Sequence, residues 1–143
     1  MDINGVRCFG WIVYATEKAK ELVAHKCGKW MYFFNDQAFA QRVCEKAINE
    51  NVCWECKCTD LEAQGTDTGV ICFYLNCDDI EHHKSVIGFM LRNGLIRKTK
   101  KGSYYNISFK FDDQTSAGEY GADFEGKIKL SEFLDLDTGL WKE

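Results

Sequence analysis

Three lysines stand where strand-like segments otherwise read as apolar: Lys29 in "CGKWMYFF", Lys57 in "ECKCT" and Lys110 in "ISFKFD". A charge inside such a strand must be paired, reach solvent or meet a bound anion, because burying it alone is costly. Side chains alternate along a strand, so a lysine and its immediate neighbours point to opposite faces. In "VCWECKCT" this rule puts Trp54, Cys56 and Cys58 on an apolar face, and Cys53, Glu55, Lys57 and Thr59 on the other. In "SYYNISFKFD" it puts Tyr105, Ile107, Phe109 and Phe111 on one face, and Asn106, Ser108, Lys110 and Asp112 opposite. At the "GKW" entry Lys29 and Trp30 diverge, so one of them faces away from the helices. If helices cover the apolar face, lysines from three strands share the exposed one. Separate point charges, with a hydroxyl from Thr59, Ser108 or Thr115, suit a phosphate. The same pattern also fits the wet face of an antiparallel sheet, where Lys57 pairs with Glu55 and Lys110 with Asp112.

Other chemistry-bearing residues form no comparable pattern. Of eight cysteines, Cys53 and Cys56 have a Cys-x-x-Cys spacing, but strand alternation predicts that they point apart, and there is no second such pair. No metal site is expected, and the cysteines are read as reduced, mostly buried apolar residues. His82 and His83 are adjacent on a predicted helix, on a solvated face near its cap. His25, Asp112 and Glu119 complete the candidate acids and bases, yet none forms a pair with catalytic spacing. With no phosphate-cradling glycine loop, paired-carboxylate motif or nucleophile elbow, neither a catalytic residue nor a cofactor is assigned. "DLDTG", residues 135 to 139, lacks the spacing of a calcium loop and reads as a turn.

The elements that must position the lysines can be read from periodicity. "CFGWIVYAT" is a first strand; Thr16 caps a short helix to about His25 with Ala19, Leu22 and Val23 inward. After the strand "KWMYFF", Asn35 or Asp36 caps a helix bearing Phe39, Val43 and Ala47, with Ala40, Cys44 and Ile48 beside them. "VCWECKCT" and "VICFYLN" form an antiparallel pair joined by a polar loop. Asp78, with Glu81, caps a helix whose apolar face is Ile80, Ile87, Met90 and Leu91, ending near Gly94. "SYYNISFKFD" and "KIKL" are the last strands. The fold class is α+β: one domain over 1–143, a curved, mainly antiparallel sheet with about three helices packed on one face.

Composition narrows the function classes. A net charge of −4 argues against general nucleic-acid binding, and the basic run "RKTKKG" is read as a solvated turn. No apolar run reaches the length of a membrane span, and "MDINGVRC" lacks the regions of a signal peptide, so a cytoplasmic protein is expected.

The order of these motifs resembles the cap-binding fold of the translation-initiation 4E factors. It is most similar to the basophilic-leukaemia-expressed protein family, over roughly residues 27 to 121. The Gly28-Lys29-Trp30 entry, the lone lysine of "ECKCT", the helix begun by "CDD" and the stretch "KFDDQTSAGEY" carry the resemblance. It implies a nucleotide-type ligand on the concave face, with Lys57 meeting phosphate. It also implies that Lys29 or Trp30 lies at the rim, and that Lys110, Asp112, Thr115, Gly118 and Tyr120 form a terminal motif. The cap-binding clamp of two loop tryptophans is missing, so a messenger-RNA cap is not the expected ligand. The expected function is non-catalytic binding of a small phosphate-bearing nucleotide. Its most concrete setting is a phage or mobile-element protein that sequesters a nucleotide signal to counter host defence. The alternatives are a nucleotide-cleaving or -modifying enzyme, and an inhibitor whose partner is a host defence nuclease.

Overall fold

The computed structural model describes residues 5–112 and 128–142. The strands are β1 (Val6–Cys8), β2 (Trp11–Ala15), β3 (Cys27–Phe34), β4 (Glu55–Thr59), β5 (Gly69–Asn76), β6 (Ser108–Phe111) and β7 (Ile128–Lys129). They form an open antiparallel sheet in the order β1-β2-β4-β5-β3-β6-β7. Among the described residues three α-helices accompany it: α1 (Gln37–Asn49), α2 (Leu61–Gln64) and α3 (Ile80–Arg92). The expected α+β class is therefore what the chain adopts. No helix among the described residues is long and apolar enough to cross a membrane.

Helices α1 and α3 cover one face. Asp36 caps α1 by accepting from Phe39 N, and Ala40, Val43, Cys44, Ala47 and Ile48 form its buried stripe. Strand alternation brings Ile12, Tyr14, Trp30, Phe34, Cys56, Cys58, Ile71, Phe73, Leu75 and Phe109 against those helices. The opposite face carries the odd-numbered residues of β2, β3 and β4.

The core is organised around Trp30 and His83, both fully buried. Trp30 Nε1 donates to His83 Nδ1 at 3.0 Å, which leaves the ring proton on Nε2 to be donated to the Cys77 carbonyl at 2.8 Å. Phe109 and Phe133 pack on the same imidazole, with ring centroids 4.9 Å and 5.2 Å away. Burial pushes the His83 pKa down, so the ring stays neutral. Gly28 permits this packing: a Cβ there would lie 2.5 Å from the Lys110 carbonyl oxygen and 2.6 Å from the Phe109 ring. Only glycine lets β6 close against β3 over Trp30.

Several expectations are corrected. The first strand is a hairpin, turned by Phe9 and Gly10 at φ of 48° and 85°, values that suit a two-residue primed turn. Thr16 Oγ1 bonds the Trp54 carbonyl instead of capping, and Glu17–Glu21 is a 3₁₀ turn without buried residues, with Val23 exposed. Asp79, not Asp78, caps α3 by accepting from His82 N; Asp78 is paired with Lys26. The buried stripe of α3 is His83, Val86, Ile87, Phe89 and Met90, while Ile80 is exposed. His83 is thus a core residue, not a solvated one. Trp54 and Cys53 precede β4, so alternation does not govern them. Trp54 is half-buried with its ring 4.8 Å from His82, and Cys53 packs into the same core as Cys56. The last long strand shortens to β6, and Tyr105 is exposed. "DLDTG" is a turn, with Asp135 Oδ1 accepting from the backbone N–H groups of Asp137 and Thr138.

Two outcomes follow for stability. His83 titrates near pH 6.5 when unfolded and lower when folded, so the unfolded chain takes up its proton first as pH falls. Its contribution is full above about pH 6.5 and is lost as pH drops through the folded value. Resistance to urea unfolding should therefore fall as pH drops below about 6.5, and His83→Gln should flatten that slope. An unchanged slope in the variant would assign it elsewhere. Trp30→Phe, which leaves His83 Nδ1 without its donor, should cost about 1–3 kcal/mol.

Candidate ligand-binding site

The face opposite α1 and α3 is laid out in rows by the strand register. One row runs Ala15, Glu55, Tyr74, Lys29, Lys110, each residue directly opposite the next on the neighbouring strand. The next runs Val13, Lys57, Cys72, Met31. Beyond it, Trp11 faces Thr59 and Val70 faces Phe33. A cavity of about 680 Å³ opens on these rows. Lys29, Lys57 and Lys110 line it together with Trp11, Met31, Phe33, Val70 and Cys72, and Asn106, Ile107 and Ser108 close one side. That size lies within the range of small-molecule sites.

Each lysine is held differently. Lys29 is only 9% exposed, and its Nζ donates to Asp112 Oδ1 at 2.8 Å. Lys57 Nζ lies 3.9 Å from the centroid of the Trp11 ring and 5.7 Å from that of Tyr74, so two aromatic faces offset part of its lost hydration. Lys110 stands directly across from Lys29. Burial lowers its pKa, and the Lys29 charge lowers it further. Like charges directly opposed on a sheet are destabilising. Glu55 lies beside them in the same row; burial, with the Asp112 charge adding to it, raises its pKa, while Lys57 opposes the shift.

The sequence-predicted residues divide clearly. Lys29, Lys57, Lys110 and Asp112 converge, and Ser108 joins them. Trp30 does not: alternation turns it away from Lys29 into the core, where its indole N–H is used by His83. Of the two residues proposed for the rim, only Lys29 reaches the cavity. Thr59 is buried, and its hydroxyl is engaged with the Val70 backbone, accepting from N at 2.9 Å. It is not in the cavity lining. Thr115 and Tyr120, with Gly118 and Glu119, lie outside the described residues. Trp11 is the residue that sequence reasoning missed. The Phe9-Gly10 turn resets the strand and puts Trp11 on the lysine side of Ile12 and Tyr14; the glycine was the available signal.

The cavity offers little to acid–base or nucleophilic chemistry. His82 bonds Asp79 through Nδ1 at 2.6 Å on the helix-covered side, His83 is in the core, and His25 is exposed outside the lining. The thiols of Cys72 and Cys27, on the face opposite α1 and α3, are held protonated, Cys72 pushed up to about 11 and Cys27 to about 12, chiefly by burial. No group of three or more His, Cys, Asp or Glu among the described residues is arranged to hold a metal. What remains is a cationic and aromatic recess suited to a planar anion. Comparisons with protein families, curated proteins and solved structures return no match for this chain.

The opposed lysines give a stability test. Lys110→Met removes a charge from beside Lys29 and keeps the apolar stem, so unfolding free energy should change by no more than about 1 kcal/mol. A loss above about 2 kcal/mol in urea unfolding would show that Lys110 is structurally required instead.

Proposed function

We propose that the protein binds a small phosphate-bearing nucleotide in this cavity, without transforming it. The observation that carries the reading is the in-register opposition of Lys29 and Lys110, with Lys57 in the next row. A phosphate seated among these lysines would accept charge-assisted hydrogen bonds from them. Trp11, Met31, Phe33 and Val70 offer the apolar surface that a base would cover. The resemblance to the 4E cap-binding fold and the closer basophilic-leukaemia-expressed family agrees with a ligand on the face opposite the helices. A binder without catalysis acts by withholding its ligand, which fits capture of a nucleotide signal during host defence by a phage or mobile-element protein. The placement of all three histidines outside the cavity lining favours binding over an enzyme.

Titration calorimetry with mono-, di- and cyclic nucleotides tests this directly. Charge-assisted hydrogen bonds contribute about 1.5–3 kcal/mol each, so Lys57→Ala and Lys110→Ala should each weaken binding roughly ten- to a hundredfold. Absence of heat with every nucleotide, or full affinity in both variants, would refute the reading.

A further inference from the structure

We infer that the ligand is a dinucleotide: its first unit occupies the cavity over the lysine rows, and its second nucleoside lies in an adjoining cavity anchored by Arg97. The inference rests on the reading of the larger cavity as a nucleotide site and names the class of nucleotide it takes.

The second cavity, of about 400 Å³, opens where β3 passes into α1. Phe33 lines both cavities and is 60% exposed, so the two meet across one aromatic ring. Lys29, Met31 and Phe33 lead along β3 from one to the other. Lys29 and Phe33 are four residues apart, about 13 Å at the usual strand rise. A mononucleotide with its phosphate among the lysines and its base on the apolar surface reaches no further than Phe33. A dinucleotide continues over that ring into the second cavity.

Arg97 opens the basic run "RKTKKG" and is built into this junction. Its Nη2 donates to the Phe33 carbonyl at 2.7 Å, and its guanidinium lies 5.0 Å from the centroid of the Tyr32 ring. Tyr105 N donates to the Arg97 carbonyl at 3.0 Å, so backbone and side chain are both held. A guanidinium carries five N–H donors in one plane, and the Phe33 carbonyl takes one. The stacked, pinned plane is thus set for the phosphate oxygens that link two nucleosides. Beyond it, Phe33 and Phe39 offer rings on which a base can stack. Asn35 and Asp36 stand beside them in the lining. Asp36 Oδ1 accepts from Phe39 N, and a carboxylate there disfavours a further phosphate while it can accept from the amino group of a base. This end therefore has the chemistry of a base pocket, with the phosphate at Arg97.

The test is equilibrium titration of the full chain with AMP, ADP and the linear dinucleotide pApA, without magnesium and at one fixed ionic strength. ADP adds a phosphate without a nucleoside, so it separates charge from occupation of the second cavity. Wild type should bind pApA at least about tenfold tighter than either AMP or ADP. Arg97→Gln, which keeps an N–H for the Phe33 carbonyl and removes the charge, should weaken pApA about tenfold and leave AMP within about twofold. In a nitrogen-15 NMR spectrum of wild type, the Arg97 Nε–H signal should move with pApA and stay in place with AMP. If pApA binds no tighter than AMP or ADP, or Arg97→Gln affects AMP and pApA alike, the inference is overturned while nucleotide binding stands. Should the variant fail to fold, the wild-type ranking and the Arg97 signal decide. No binding by any of the three would remove the nucleotide site and this inference with it.

Discussion

The register of β3 between β5 and β6 is the constraint on which the rest of the molecule turns. Gly28, Lys29 and Trp30 occupy three consecutive positions and meet three different demands. Gly28 admits the Lys110 backbone and the Phe109 ring; Lys29 is thereby brought opposite Lys110; Trp30 is sent through the sheet to His83. A one-residue slip would exchange the faces, burying an ammonium among aromatic rings and exposing an indole. The Trp30–His83 bond resists that slip, since both partners would lose a buried hydrogen bond.

Because the register is fixed by the core side, the arrangement on the opposite side follows from it. Two lysines face each other, a third is wedged between Trp11 and Tyr74, and carboxylates at Glu55 and Asp112 temper the charge. Packing of the helices and the proposed binding on the other face are thus two consequences of one alternation.

Much of this was legible in the sequence where periodicity is strong. The buried stripe of α1 and the alternation within β3, β4 and β5 follow from residue type and spacing, and so does the placement of Lys57 and Lys110 on one face. The failures share a physical cause, which is that the deciding partner lies far away or the local signal is weak. His83 reads as solvated until its partner Trp30, 53 residues earlier, is known. Phe9 is an unusual residue at positive φ, so the first turn was hidden, and Trp11 with it. Trp54 was assigned to the core because β4 was begun too early. Asp78 and Asp79 are both competent caps, and only the tertiary pairing of Asp78 with Lys26 separates them.

The most direct measurement is the indole N–H region of a nitrogen-15 NMR spectrum during titration with a nucleoside monophosphate. The four tryptophans report on different places: Trp11 on the cavity, Trp30 on the core, Trp54 on the side of His82 and Trp141 near the end of the chain. Binding at the lysine rows predicts that the Trp11 signal moves in proportion to occupancy while Trp30 and Trp54 stay in place. A shift of Trp54 without Trp11, or saturating binding that leaves Trp11 unmoved, would contradict the account.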